Sequence, residues 1–281
     1  MSTTNTTKAE ENAQPHIPSA SDSEAMKSRL KESYDAIAAT YNDWTTQHSS
    51  LREKYLDKLL GYLVPSVAAP SQPGHGQVYR ILELGCGAGI PVTERLVNFD
   101  FASSDEKGAS SFHIVANDLS STQVELGQKR LGGSLVSFQT NNLIEWIQGD
   151  MTKLSFPDES LDAVIGMYSI IHLPKEEQAV MIRRIARWLK RPSSSDDHGS
   201  VGGGGIMLLN FGDEASDGEV IDKWLGEDKG WMYWSAWGTE KTMEIVREKQ
   251  NGLEVLVEEV VSEKEDGAVD VMFLWVIARR T

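Results

Sequence analysis

The sequence predicts an α/β fold in which a mostly parallel β-sheet carries helices on both faces. Apolar runs typical of strands alternate with amphipathic helical segments between residues 79 and 213. Two further apolar runs, 253–261 and 271–279, are close enough in sequence to pair as a hairpin. Strands that alternate with helices are typical of parallel sheets covered on both sides. Such sheets bind ligands at the carboxyl ends of their strands.

Composition limits the partners that the chain is expected to have. It has 281 residues, of which 40% are hydrophobic, and a formal net charge of -15. This charge argues against nucleic acid and against an anionic membrane surface as partners. The single cysteine, Cys86, excludes an internal disulfide and fits a reducing compartment. No stretch approaches the ~20 apolar residues of a membrane helix, so we expect a cytoplasmic protein that is a monomer or a homodimer.

The N-terminal part of the chain divides into a polar tail and a helical segment. Residues 1–24 are polar, contain proline and serine, and are expected to be disordered. Residues 25–64 are expected to form two amphipathic helices, the second over residues 51–63. In the first helix, large apolar side chains recur at steps of three and four and therefore share one face. They are Met26, Leu30, Tyr34, Ile37, Tyr41 and Trp44.

Five strands and four helices are predicted after a linker rich in proline, glycine and serine. The strands are 79–85, 112–118, 144–150, 161–171 and 205–212. The helices are 90–99, 120–131, 174–190 and 239–250. Two low-complexity stretches, 102–111 and 191–205, are expected to form surface loops. Residues 132–143 receive no assignment.

Three glycines at alternate positions, Gly85, Gly87 and Gly89, follow the first strand and precede a helix. Glycine costs backbone entropy, so this turn requires a bare backbone or a positive φ angle. In a dinucleotide-binding G-x-G-x-x-G fingerprint the third glycine would fall on Ile90, and the sequence contains no phosphate-binding P-loop. A tight turn that binds no ligand is the alternative.

The turn resembles motif I, E-x-G-x-G-x-G, of class I S-adenosylmethionine-dependent methyltransferases. Glu83 and the three glycines occupy its fixed positions, and later motifs of that family follow in order. Asp118 ends the second strand, and Gly149, Asp150 and Met151 end the third. The resemblance implies a Rossmann-like, seven-stranded, mostly parallel sheet with an antiparallel last strand. It also implies S-adenosylmethionine as the cofactor and S-adenosylhomocysteine as the product.

The resemblance also implies a role for each cofactor-site residue. Asp118 would accept both ribose hydroxyls, although an aspartate there could instead cap the helix that begins at Ser120. Asp150 would accept from the adenine amino group, and Met151 would cover the ring. The complete implied cofactor set is Tyr34, Tyr41, Glu83, Gly85, Cys86, Gly87, Gly89, Asp118, Leu119, Gly149, Asp150, Met151 and Met167.

The N-terminal pattern YDAIAATYNDW is similar to that of the small-molecule, UbiE/Coq5-like branch of the family. In that branch the first helix covers the cofactor as a lid, which implies that Tyr34 and Tyr41 reach the methionine end. Simple packing is the alternative for both tyrosines. The implied organisation is a lid at 25–64, a cofactor-binding core at 79–213, and a substrate-side insertion with the C-terminal strands at 214–281.

The substrate side is expected to be aromatic. Four of the eight tryptophans lie between residues 224 and 237, in a segment after the fifth strand that is expected to form a loop. Aromatic walls fit a flat apolar substrate, and a hydrophobic cap or a dimer contact is the alternative. The predicted substrate set is Trp44, Tyr168, His172, Trp231, Tyr233, Trp234 and Trp237.

His172 is the candidate general base, because it follows the fourth strand and histidine titrates near neutral pH. A structural role is the alternative for this residue. The six histidines include no pair with metal-ligand spacing, so no metal is expected.

The expected activity is SN2 transfer of a methyl group to an O, N, S or C atom of a small aromatic or apolar metabolite, as in secondary metabolism. Three alternatives stay open. They are a protein methyltransferase, a non-catalytic scaffold, and a cofactor-dependent pericyclase on the same fold.

Overall fold

The structure is a computed structural model that describes residues 20–64, 76–101, 110–133, 141–192, 203–265 and 269–281. The helices are α1 (Ala20–Ala36), α2 (Ala38–Gln47), α3 (Ser50–Leu63), α4 (Val92–Val97), α5 (Ser121–Leu131), α6 (Lys175–Trp188) and α7 (Thr239–Val246). The strands are β1 (Val78–Leu84), β2 (Ser111–Asp118), β3 (Leu143–Gln148), β4 (Ala163–Gly166), β5 (Ile206–Gly212), β6 (Ala215–Asp222), β7 (Trp231–Trp237), β8 (Leu253–Glu265) and β9 (Val269–Arg280).

Seven strands form one sheet in the order β3-β2-β1-β4-β5-β9-β8. The first five strands run parallel, and β9 is antiparallel to both β5 and β8. Both faces of the central strands are buried, as Ile81 and Leu82 of β1 illustrate with no exposed surface. The predicted seven-stranded, mostly parallel sheet is therefore confirmed. The carboxyl ends of β1 to β5 meet at one edge.

The N-terminal segment forms three helices, one more than predicted. The first helix begins at Ala20, so the expected disordered tail is wrong over its last residues, and residues 1–19 lie outside the described residues. The chain bends at Ile37, where φ is -101° and ψ is 12°, and α2 begins directly afterwards. The bend separates Tyr34 on α1 from Tyr41 and Trp44 on α2.

The fourth strand is shorter than the predicted 161–171. β4 ends at Gly166, and Tyr168 then adopts a φ of 52°, which a strand does not allow. The Tyr168 backbone N–H donates to Asn210 Oδ1 at 2.6 Å, which holds the turn against β5. A short 3₁₀ helix, Ile170–His172, follows and directs these residues toward the edge of the sheet.

The aromatic segment after β5, expected to be a loop, contains β6 and β7, which pair as a separate antiparallel hairpin. Its side chains pack against α1, so the hairpin and the first helix share a small hydrophobic core. We call this the lid–hairpin core; its buried members are Leu30, Ile37, Trp224, Trp231 and Met232.

Candidate active site

A cavity with about 640 Å³ of empty space, partly open to solvent, lies at the carboxyl ends of the parallel strands beneath α1. Eleven of the residues predicted for cofactor or substrate line it. They are Tyr34, Tyr41, Gly85, Gly87, Asp118, Leu119, Gly149, Asp150, Met151, Tyr168 and His172. We call this the cofactor cavity.

Two of the three turn glycines serve different purposes. Gly85 and Gly87 both have positive φ angles, 71° and 54°. A Cβ on Gly85 would lie 2.4 Å from Cβ of Ser169, whereas a Cβ on Gly87 would lie 3.8 Å from the nearest atom, in the Tyr41 ring. Gly85 is therefore required by packing. Gly87 keeps a left-handed turn, and a Cβ there would make only ordinary contacts with Tyr41 and Gln123 at the cavity wall.

Four residues of the predicted cofactor set do not line this cavity: Glu83, Cys86, Gly89 and Met167. A Cβ on Gly89 would meet the side chains of Leu131 and Trp146 at 2.9 and 3.0 Å, so this glycine serves helix packing. Cys86 and Met167 are buried in the hydrophobic core below the sheet edge.

Glu83 lies behind the turn. It accepts a hydrogen bond from Thr93 Oγ1 at 2.5 Å, and burial raises its pKa to about 8. The side chain is therefore neutral at pH 7, a state that fits a support for the turn.

Asp118 joins the glycine turn to α5. Its Oδ2 accepts from the Gly87 N–H at 2.8 Å, and its Oδ1 accepts from the Ser120 N–H at 2.8 Å. The N-cap of α5 is Ser120, whose hydroxyl accepts from the Gln123 N–H, so the aspartate is not itself the cap. Each carboxylate oxygen retains capacity for a further donor. Burial raises the pKa of Asp118 to about 6.

Asp150 is held at the adjoining strand end by two donors. Its Oδ1 accepts from the Thr152 N–H at 2.8 Å, and its Oδ2 accepts from Lys27 Nζ at 3.0 Å. Burial alone would raise the pKa of Asp150, but these hydrogen bonds outweigh burial and lower it. The carboxylate is ionised and keeps acceptor capacity at the cavity wall.

His172 is buried and has two partners. Its Nδ1 lies 2.8 Å from the Tyr233 carbonyl oxygen, and its Nε2 lies 2.9 Å from the Tyr34 hydroxyl. A carbonyl only accepts, so Nδ1 carries the proton and Nε2 presents its lone pair to Tyr34. Burial lowers the pKa of His172 to about 4, which keeps the imidazole neutral at physiological pH.

Aromatic rings from the N-terminal helices cover this end of the cavity. The rings of Tyr34 and Tyr41 meet edge to face, with centroids 5.1 Å apart. Trp44, predicted to contact substrate, lies outside the cavity and stacks on His48 at 4.6 Å. The bend at Ile37 brings both tyrosines, but not the tryptophan, to the cavity wall.

The structure separates the aromatic residues predicted for the substrate side. Trp231 is buried in the lid–hairpin core, and its backbone N–H donates to Ser33 Oγ at 2.7 Å. Trp237 donates from Nε1 to the Lys175 carbonyl oxygen at 2.7 Å and packs beside α6. Tyr233 contributes its backbone carbonyl to His172, while its side chain contacts Gly218 of the hairpin. These three side chains therefore do not form an acceptor pocket.

Trp234 lines a second cavity, with about 1080 Å³ of empty space partly open to solvent, between the hairpin and β9. Ile171 and Phe273 are also in its wall, and the Phe273 ring packs on Tyr168 with centroids 5.2 Å apart. Tyr168 thus lies between the two cavities. The described lining of the second cavity contains no Lys, Arg or His, and its acidic members are Asp213, Glu214, Glu219 and Asp270.

Buried polar atoms without partners indicate which ligand fits the cofactor cavity. Gln123 is 1% exposed, and neither Oε1 nor Nε2 has a hydrogen-bond partner among the described residues; the same holds for Ser169 Oγ. Such groups are costly unless a ligand or water satisfies them. Lys27, the one cation in the described lining, is already paired with a carboxylate. The residues present therefore fit a nucleoside without phosphates, as S-adenosylmethionine is.

Five lining residues are absent from the set predicted from sequence: Lys27, Leu30, Gln123, Ser169 and Leu173. Helical spacing could have indicated Lys27, which lies seven residues before Tyr34 and so shares its face. The unpaired amide of Gln123 leaves no trace in the sequence.

Within the described ranges, no cluster of three or more His, Cys, Asp and Glu side chains is arranged to hold a metal ion. No helix in those ranges is long and apolar enough to cross a bilayer.

Residues 81–192 match the methyltransferase domain family. The chain is 29% identical over 143 residues to a tRNA N(3)-cytidine methyltransferase of Gallus gallus. The aligned segment covers 50% of this chain and 32% of that protein. It is 35% identical over 85 residues to a demethylmenaquinone methyltransferase of Clavibacter sepedonicus, covering 30% of this chain and 27% of the relative. The chain thus spans about a third or less of the length of these relatives.

Solved structures share the fold. One is the 1,6-didemethyltoxoflavin-N1-methyltransferase of Burkholderia thailandensis, with bound 1,6-didemethyltoxoflavin and S-adenosylhomocysteine. It superposes with a TM-score of 0.57 at 13% identity, covering 97% of this chain and 98% of the other. Residues 81–192 therefore contain a methyltransferase domain, and the chain shares the fold of this solved methyltransferase.

Proposed function

We propose that this chain transfers the methyl group of S-adenosylmethionine to a nucleophilic O, N, S or C atom of a small aromatic or apolar molecule. The observation that carries the proposal is the cofactor cavity, which is lined by Asp118, Asp150 and the neutral His172. The cofactor supplies an electrophilic methyl group together with its own leaving group. The chain then has to bind, orient and desolvate the reactants.

Asp118 would hold the ribose and Asp150 the adenine amino group, while Gly87 leaves room at the turn. Tyr34 and Tyr41 would close the methionine end. The unpaired side chains of Gln123 and Ser169 provide further polar contacts inside the same cavity. These residues come from separate parts of the fold and include Tyr34 of α1, so the cavity is complete only when α1 is seated on the sheet.

His172 and Tyr34 would handle a proton where the acceptor must lose one. The imidazole is neutral, its tautomer is fixed by the Tyr233 carbonyl, and Nε2 can accept. The Tyr34 hydroxyl lies on that nitrogen, so a proton from the acceptor could reach the imidazole through the phenol. An acceptor that is nucleophilic without deprotonation would need neither group.

The second cavity supports a small acceptor. It adjoins His172 through Ile171, has Trp234 and Phe273 in its wall, and presents carboxylates with no Lys or Arg among its described lining residues. These features favour a neutral or cationic molecule with a flat apolar part. The similarity to the demethylmenaquinone methyltransferase also supports a small acceptor, and with it the UbiE/Coq5-like branch.

An RNA cytidine is the second candidate acceptor, favoured by the 143-residue match to the tRNA methyltransferase. A net charge of -15 opposes it, since RNA binding depends on neutralising phosphates with basic side chains. A protein methyltransferase would need an open groove, but α1 covers the cofactor cavity.

Thermal unfolding with S-adenosylhomocysteine, and with NAD as the control, tests cofactor binding first. A ligand at 100 times its Kd adds ~2.7 kcal/mol of stability, which corresponds to a rise in Tm of about 5–10 °C, at about 2–4 °C for each kcal/mol. We expect a shift with S-adenosylhomocysteine alone. No shift with either ligand would contradict the proposal.

Methyl-labelled cofactor in cell extract then separates the candidate acceptors. Label in the small-molecule fraction is the expected result, whereas label in RNA or protein would reassign the substrate. Cofactor binding without any label transfer would favour the scaffold or pericyclase alternatives.

A further inference from the structure

Lys27 on α1 lines the cofactor cavity but takes no part in the proposed reaction. Its side chain is 7% exposed, and Nζ lies 3.0 Å from Asp150 Oδ2 and 2.5 Å from Glu177 Oε2. Nζ also donates to Thr152 Oγ1 at 3.1 Å. A lysine is thus buried between two carboxylates, one from the strand end that would hold adenine and one from the first turn of α6.

These contacts occupy most of what Lys27 can offer a ligand. Two of its three N–H donors bond to Asp150 Oδ2 and Thr152 Oγ1, and its charge is paired with Glu177. Asp150 differs, because its carboxylate accepts from Thr152 and Lys27 and, with about four acceptor positions, can still accept from a ligand. The lysine therefore acts on a ligand through Asp150, whose carboxylate it fixes from the side of the lid.

Attachment of the lid does not explain this arrangement. Lys153 and Glu24 already join α1 to the segment after β3, through an ion pair at 3.0 Å whose side chains are 64% and 57% exposed. A buried ion pair contributes little net stability, because desolvation offsets most of the attraction. The exposed Lys153–Glu24 pair already links these elements, so the buried position of Lys27 in the cavity wall indicates that Lys27 orients Asp150.

We propose that Lys27 is a positioning residue that fixes the Asp150 carboxylate, ionised and correctly oriented, to accept the exocyclic amino group of adenine. Because Lys27 belongs to α1, closure of this helix and recognition of the base become one event. The inference rests on the proposed function, in which Asp150 receives that amino group. It adds the residue that makes the site selective for 6-aminopurines.

The consequence is measurable with two ligands. S-inosylhomocysteine differs from S-adenosylhomocysteine in carrying a carbonyl in place of the amino group, so it offers the carboxylate an acceptor instead of a donor. A site built to accept a hydrogen bond rejects a ligand that lacks the donor. A carboxylate that is free to turn or to take up a proton loses this selectivity, since a protonated acid can donate to the carbonyl.

The experiment compares Kd values for both ligands, by titration calorimetry, in the wild type, Lys27→Met and Lys153→Met. We expect the wild type to prefer the adenine ligand by about 100-fold, the equivalent of one hydrogen bond to a charged group. Lys27→Met should reduce that preference to about 10-fold or less. Lys153→Met removes an exposed lysine that links the same elements and should leave the preference unchanged.

Each outcome has a separate meaning. Equal weakening of both ligands in Lys27→Met, with the preference retained, would show a purely structural lysine and overturn the inference while the proposed function stands. Failure of the wild type to bind S-adenosylhomocysteine would overturn the proposed function itself. If Lys27→Met does not fold because Glu177 is left unpaired, the double variant Lys27→Met with Glu177→Gln removes that charge as well, and an unchanged preference in the double variant is equally decisive against the inference.

Discussion

The two halves of the cofactor cavity are built in different ways. The floor consists of three strand ends close together in sequence, with the glycine turn at Gly85 and Gly87, Asp118, and Asp150. The cover consists of α1, the 3₁₀ turn at His172, and the β6–β7 hairpin, whose contacts join residues far apart in sequence. Tyr34 and His172, for example, are separated by 138 positions.

We expect this difference to separate cofactor binding from turnover. The floor is held by the hydrogen bonds of the sheet and by short turns, and Lys27 of the cover fixes only its Asp150 side chain. The cover depends on the lid–hairpin core and on His172, whose two ring nitrogens contact α1 and the hairpin at once. Apart from Lys27, we therefore expect changes in the floor to affect cofactor affinity, and changes at His172 and Tyr34 in the cover to affect turnover.

The largest expected effect belongs to the cover. Replacing His172 with alanine should lower turnover of an identified acceptor by about 10²- to 10⁴-fold, the usual contribution of a general base. The Kd for S-adenosylhomocysteine should change little, because the imidazole contacts Tyr34 and a carbonyl but none of the floor residues. Single-turnover kinetics and calorimetry on one preparation separate these quantities.

Tyr34→Phe is the matched variant, since it removes the hydroxyl that contacts the imidazole and retains the ring. An intermediate loss of turnover is expected. A variant of His172 that transfers methyl normally, or one that is simply unstable, would assign the residue a structural role and break the comparison between floor and cover.

The second effect distinguishes the two glycines of the floor. Gly85→Ala combines a left-handed φ with a 2.4 Å approach to Ser169, and should lower the free energy of unfolding by about 3 kcal/mol. Gly87→Ala carries only the backbone cost, about 1 kcal/mol, but places a methyl group in the cavity. Urea unfolding should rank Gly85→Ala as the less stable variant.

Cofactor titration then completes the test in Gly87→Ala, where the protein stays folded. Weaker binding of S-adenosylhomocysteine is expected, because the cavity is narrowed. If this variant binds as tightly as the wild type, the turn is purely structural, and the ligand lies elsewhere in the cavity.

The sequence predicted the floor far better than the cover, for a physical reason. Strand periodicity and glycine spacing are local, so the sheet and the positions of Gly87, Asp118 and Asp150 at its edge followed from pattern and resemblance. The β6–β7 segment was expected to be a loop, because β6, the strand that pairs with β7, is polar and exposed and shows no strand pattern.

Tertiary contacts were beyond the reach of sequence patterns. Trp237 was grouped with the substrate residues because it is close in sequence to Trp234, but the alternation of side chains along β7 and packing on α6 separate them. The partners of His172 depend on how α1 docks. Helical spacing places Lys27 on the same face as Tyr34, but no local pattern encodes its pairing with Asp150 or the unpaired amide of Gln123.

The smallest effect concerns Asp118, at the boundary between the turn and α5. Asp118→Ala should weaken S-adenosylhomocysteine binding by about 2 kcal/mol through loss of charge-assisted hydrogen bonds. The wild type should also show a pH dependence, because burial raises the pKa of Asp118 to about 6. Ribose hydroxyls donate to the ionised form, so binding lowers this pKa, and affinity must fall as the pH drops below about 6.

Each pH unit below that value should weaken binding up to about tenfold, equivalent to 1.36 kcal/mol, and affinity should be level from pH 6.5 to 7.5. The charged neighbours do not interfere in this window, since Glu83, with a pKa of about 8, stays neutral and Asp35, with a pKa of about 2, stays ionised. Asp118→Asn keeps the shape without the titration and should give weaker, pH-independent binding. A wild-type profile as flat as that of Asp118→Asn would mean that the carboxylate only supports the turn, and that the ribose is held by another group such as Gln123.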